Sequence, residues 1–149
     1  MAVRVQQDDF DVGAESRALQ GPAVGAIALF VGTVRSLSED DSVTAMTLEH
    51  YPGMTEAEIS RIEDEARARW PLLGVTVVHR VGRLLAGEQI VLVAVSSAHR
   101  QAAFDAAQYM MDFLKTDAPF WKAEERGDQL SGVEARQSDN DAHAKWTQE

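Results

Sequence analysis

The chain has 149 residues, 45% of them hydrophobic and 26% charged, which supplies one core and is short for two ordinary domains. A formal net charge of −10 excludes generic nucleic-acid binding, which runs on neutralised phosphates, so a bound anion must be held by a local cluster of Lys, Arg and His set against the acidic background. There are no cysteines. Disulfides, thiolate nucleophiles and cysteine-held zinc are therefore excluded, and any sulfur chemistry must use sulfur carried by another molecule. No apolar run approaches the roughly 18 residues a membrane span needs, and the opening MAVRVQQDDF lacks a charged-then-apolar signal pattern. The expected setting is the cytoplasm.

Val24 to Val34 is rich in small and β-branched residues and predicts a buried strand interrupted at Gly32. The acidic stretch from Leu37 to Ser42 predicts a loop. Val43 to Tyr51 alternates and predicts a second strand, which Pro52 and Gly53 turn. Thr55, with Glu58 three residues on, makes a capping-box pattern. The helix it opens carries Ile59, Ile62, Ala66 and Trp70 as one apolar stripe and ends at Pro71. Val75 to Val81 and Gln89 to Ser97 predict two strong strands around a turn region containing Gly82 and Gly87. Ser97 or a neighbour caps a helix from Arg100 to Leu114, with Ala103, Phe104, Ala107, Met111 and Leu114 facing the core. Phe120 to Glu124 and Val133 to Arg136 predict short strands, and from Gln137 the tail is polar apart from Trp146. Two adjacent strand pairs point to antiparallel pairing and to an α+β fold with a mostly antiparallel sheet and two main helices. Residues 1–136 read as a single catalytic domain and 137–149 as a polar tail.

Basic residues stand at the ends of these elements, where binding and catalytic groups concentrate. Arg35 ends GTVR at a strand terminus; its plainer reading is a solvated arginine. His99 and Arg100 sit at a strand-to-helix junction, where unpaired N–H groups and a partial positive charge favour anions. With Ser96 and Ser97 they would form a compact anion site, or Ser97 would be only a cap. Lys115 and Lys122 flank Pro119 and the Phe120-Trp121 pair. A lysine desolvated by aromatic groups becomes available for acid–base or nucleophilic work, whereas the plainer reading makes Lys115 a favourable helix C-terminal charge and Lys122 a snorkelling side chain. His50 in LEHYPGMTE reads as structural. The four histidines show no HxH or HExxH spacing, so no metal site is expected. Composition and spacing reach this far: an acidic α+β domain with a local anion pocket.

Five segments occur together and in order: GTVR (Gly32 to Arg35), LEHYPGMTE (Leu48 to Glu56), SSAHR (Ser96 to Arg100), MMDFLKTDAPFWK (Met110 to Lys122) and VEAR (Val133 to Arg136). This combination resembles the catalytic (large) subunit family of molybdopterin synthase. The resemblance implies an α/β-hammerhead fold, no cofactor, and conversion of cyclic pyranopterin monophosphate to molybdopterin by insertion of two dithiolene sulfurs. The sulfur would come from a thiocarboxylate on the C-terminus of a small ubiquitin-like subunit. A homodimer with a small subunit at each end, a heterotetramer, is implied as well. Carried over by position, Lys115 and Lys122 are the catalytic lysines. Thr33, Val34, Arg35, His99, Arg100, Ala123, Glu124 and Arg136 are substrate-binding positions, with Arg136 reaching the neighbouring subunit's site. Ala123 departs from the pattern, since relatives often carry a basic residue there. The alternative is a non-catalytic dimeric module that binds the ubiquitin-like partner, with an unrelated small-anion-binding domain more distant.

Overall fold

A computed structural model of the chain describes residues 3–35, 45–126 and 129–132, together with Trp146. The elements in chain order are β1 (Val3–Gln6), α1 (Val12–Ala18), β2 (Ala26–Thr33), β3 (Ala45–His50), α2 (Met54–Arg69), β4 (Leu72–Arg80), β5 (Gly82–Leu85), β6 (Gln89–Ser97), α3 (Arg100–Leu114), β7 (Phe120–Arg126) and β8 (Gln129–Gly132). They form two four-stranded sheets, β1-β4-β6-β2 and β5-β3-β7-β8. Every pairing is antiparallel except β1 on β4. The fold is α+β and mostly antiparallel, as the strand order predicts.

The first sheet is covered on both faces, and β6 shows why. Its residues Val91 to Ser97 are all buried, so the run reads as continuously apolar rather than alternating. Val91, Val93 and Val95 point to α2 and α3, where Ile59, Ile62, Ala66, Ala103, Met110 and Leu114 complete the main core. Leu92 and Ala94 point the other way, to Phe10, Val12 and Leu19 around α1. A third cluster, Val34, Leu48, Val81 and Leu84, joins the second sheet to the first. Phe120 packs against both the main core and this joining cluster.

Several expectations are corrected. The strands at 24–34 and 43–51 do not pair with each other. A double-sided β6 takes β2 on one edge and β4 on the other, while the half-exposed β3 belongs to the second sheet with β5 and β7. The pairing of 75–81 with 89–97 holds. The turn between them contains a further strand, β5, bracketed by Gly82 (φ 90) and Gly87 (φ 91), both in the left-handed region that glycine tolerates. Thr55 does not cap α2. The cap is Gly53, whose N–H donates to Glu56 Oε1 at 3.0 Å, and Thr55 is fully buried. Nor does Ser97 cap α3, where His99 holds that position; Ser97 Oγ donates to the Pro71 carbonyl at 2.8 Å. Phe104 is 60% exposed, because it lies at the margin of an apolar stripe centred on Ala103, Ala107, Met110 and Leu114. The loop expected at 37–42, the strand at 133–136 and Arg136 lie outside the described residues. Trp146, the tail's apolar residue, packs edge-on against Trp70 and Tyr109 and donates its indole N–H to Asp112.

Candidate functional site

The segment LKTDAPFWK begins where α3 stops. Lys115 is the C-cap residue, its N–H still bonded to Met111 O, and its side chain is exposed, so the neighbouring aromatic groups do not bury it. The turn that follows is held at four points. Asp117 N–H donates to Phe113 O at 2.8 Å, and the Arg61 guanidinium reaches Asp117 Oδ2 at 3.4 Å. Thr55 Oγ1 donates to the Pro119 carbonyl at 3.0 Å while accepting from Tyr51 N–H at 3.0 Å. Phe120 then stacks on the His79 ring, with centroids 3.8 Å apart and planes inclined by 18°.

Strand β7 carries the second lysine. Its register sets Phe120 opposite His50, Lys122 opposite Leu48 and Glu124 opposite Met46. Side chains alternate along a strand, so Phe120, Lys122 and Glu124 share the face on which Leu48 is buried. Lys122 and Glu124 are half-buried there. Ala123 is buried on the opposite face, so a ligand on the Lys122 side would meet only its backbone.

His79 sits beneath this arrangement. Its Nδ1 lies 2.8 Å from the Arg80 carbonyl, and a carbonyl only accepts, so Nδ1 carries the proton and Nε2 is left as an acceptor. Burial pushes its pKa down to about 4, the hydrogen bond to Arg80 opposes that, and the charges of Lys122, Lys115 and His50 add to the depression. The ring is therefore neutral at physiological pH, and both lysines are near enough to act on it. His50 also lies 3.9 Å from Glu56.

Arg35 belongs to the same end of the fold. Val34 has its side chain in the joining cluster, its N–H on Glu88 O and its carbonyl on Gly87 N–H. Thr33 and Arg35 on either side are exposed. Gly32 permits the register shift that precedes them, since a Cβ there would meet Val91 Cγ1 at 2.8 Å.

His99 and Arg100 are elsewhere. They are exposed at the start of α3, and the 15 residues of that helix put roughly 22 Å between its ends. The first turn of α3 contains no acidic residue, and the His99 side chain makes no capping bond. Ser96 and Ser97 are buried in the sheet, so the accessible groups at this junction are His99 and Arg100. The residues singled out in the sequence thus divide within one copy. Arg35, Lys115, Lys122 and Glu124 lie at one end of α3; His99 and Arg100 lie at the other. Thr55 and His79 were not singled out for the site. The available signals were a threonine in LEHYPGMTE with a role other than capping, and an HR pair closing an apolar strand.

The family model for the MoaE protein matches residues 5–117. The chain belongs to the MoaE family. Among MoaE relatives, the molybdopterin synthase catalytic subunit of Mesorhizobium japonicum is 55% identical, over 97% of this chain and 92% of that one. The molybdopterin synthase catalytic subunit of Escherichia coli is 56% identical over 122 residues, 82% of this chain and 81% of that one. Among solved structures, the molybdopterin biosynthesis MoaE protein from Burkholderia ambifaria superposes with a TM-score of 0.84 at 51% identity, covering 99% of both chains.

Proposed function

We propose that this chain is the catalytic subunit of a molybdopterin synthase, acting in the cytoplasm. It converts cyclic pyranopterin monophosphate to molybdopterin with sulfur delivered as a thiocarboxylate on the C-terminus of a small ubiquitin-like subunit. The observation that carries this reading is the gathering of Lys115 and Lys122 around one neutral imidazole in a chain 55% identical to a named catalytic subunit. With no cysteine in the sequence, sulfur cannot travel as a persulfide on this chain. The partner's thiocarboxylate sulfur attacks the pterin side chain directly, and Lys115 and Lys122 stabilise the oxyanions that develop and move protons. Both lysines stand on rigid structure, a helix end and a paired strand, which favours a fixed approach of the reacting atoms.

The substrate phosphate calls for arginine, whose planar fork matches phosphate oxygens. Arg35 is at the lysine end; His99 and Arg100 are about a helix length away, farther than one small substrate bridges. In a homodimer the second copy supplies His99 and Arg100, so that each of two sites takes lysines from one chain and phosphate ligands from the other. Arg136 is assigned to the neighbouring copy's site on the same grounds of family position. Thr33, Val34, Ala123 and Glu124 line the substrate, Val34 and Ala123 through their backbones.

The test is reconstitution. The chain is mixed with thiocarboxylated small subunit and cyclic pyranopterin monophosphate, and molybdopterin is measured as its oxidised fluorescent derivative. Product formation is expected. A stable complex that yields no product would replace this reading with that of a dimeric binding module.

A further inference from the structure

The mechanism above does not use His79, yet its ring is the surface on which the second half of the lysine segment rests. Three observations bear on its role. The ring is stacked on Phe120 almost face to face, at 3.8 Å and 18°. It cannot rotate freely, because Nδ1 is tied to the Arg80 carbonyl at 2.8 Å. And Phe120 stands two residues before Lys122 on the same face of β7, a separation of about 7 Å along a strand.

We propose that His79 is a positioning residue for sulfur transfer, acting through Phe120 to set where β7 begins and so where the Lys122 ammonium points. The kinetic part of this assignment rests on the synthase reading; the structural part does not. The groups that face the ring are Lys122 from β7, Lys115 from the end of α3 and His50 from β3. The Arg80 guanidinium, on its own strand, is turned away to the Gln7 and Gln89 carbonyls and to Glu88 and Asp9. A third cation among these groups would repel both lysines, and an imidazole held uncharged avoids that. A phenylalanine would keep the stack without the anchor; an asparagine could keep the anchor without the stack.

His79→Phe and His79→Asn, each isotopically labelled at lysine, separate these contributions. The ε-methylene resonances of Lys115 and Lys122, assigned with Lys→Arg variants, report position without substrate, and kcat and KM report function. In His79→Asn the Lys122 resonance should move, and kcat should fall at least tenfold with KM within twofold, because Arg35, His99 and Arg100 are untouched. In His79→Phe the resonance should stay near its wild-type place and kcat should fall less than threefold. An unmoved Lys122 resonance in His79→Asn overturns the proposal. So does a His79→Phe variant as impaired as His79→Asn, which would make the Arg80 anchor the important contact. If His79→Asn does not fold, Phe120→Leu removes the same stack from the other side and is read by the same criteria. A wild-type protein without turnover would sink the synthase reading and leave the lysine resonances to decide this one.

Discussion

Replacing Thr55 by valine tests whether the lysine segment is held from the far side of the chain. Valine has threonine's shape, so the substitution opens no cavity in a site that is fully buried. What is lost is a hydroxyl that accepts from Tyr51 N–H and donates to the Pro119 carbonyl, each at 3.0 Å. Two ordinary hydrogen bonds contribute about 1–3 kcal/mol together. Tyr51 is exposed, so water can replace that partner, whereas the Pro119 carbonyl is half-buried and pays more. The expected cost is about 2 kcal/mol, which at a urea m-value of about 2 kcal/mol/M lowers the unfolding midpoint by about 1 M with m unchanged. Turnover should fall as well, because Pro119 lies between Lys115 and Lys122, and Thr55→Ser should restore both. A Thr55→Val protein within about 0.5 kcal/mol of wild type and with normal turnover would show that Arg61–Asp117 and His79–Phe120 hold the segment without Thr55.

Mixed dimers of Lys115→Ala and Arg100→Ala chains should regain about half the wild-type activity per dimer, although either homodimer is impaired: sites built across two copies leave one of the two intact. No regain would place each complete site within a single copy. Gly25→Ala should destabilise by about 2 kcal/mol or more, since its Cβ would lie 2.1 Å from the Ala98 carbonyl oxygen, and should raise KM because His99 follows directly; a neutral variant in urea unfolding and kinetics would refute both. With a folded-state pKa of about 4 against 6.5 for the free side chain, His79 binds a proton in the unfolded chain before it does in the folded one. Stability should therefore fall as pH drops from 6.5 towards 4, by roughly 3 kcal/mol at most. Urea midpoints between pH 7 and 4.5 should show this slope in wild type and lose it in His79→Phe; identical slopes would refute the assignment.

The elements legible in the sequence are those whose pattern is long enough to carry its own signal. Strand β6 and helix α3 were placed at their observed limits, the first by its continuous apolar run and the second by a stripe of small and aliphatic residues. Strands β1 and β5 have four residues each and α1 has seven, too few for a period to show. They exist because β4, β3 and the outer face of β6 give them partners. The same distinction governs the site. The lysine segment stands out as a local string, while the groups that fix it act across the chain, Thr55 on Pro119 over 64 positions and His79 on Phe120 through a ring stack.

Proximity is where a linear reading fails most instructively. Arg35, His99, Arg100, Lys115 and Lys122 all fall at element ends, and a string of such positions suggests one pocket. An α-helix that returns along the strand before it puts its own two ends at opposite edges of the sheet, so residues flanking α3 are separated by its length rather than joined by it. The spacing of His99–Arg100 from Lys115 records a helix, and carries no information about whether the two ends meet within one molecule. If all five residues serve one substrate, the missing distance has to be closed by another copy of the chain. Dimerisation is then part of the catalytic geometry, and a variant that weakens the dimer should lose activity without any change to the residues that touch the substrate.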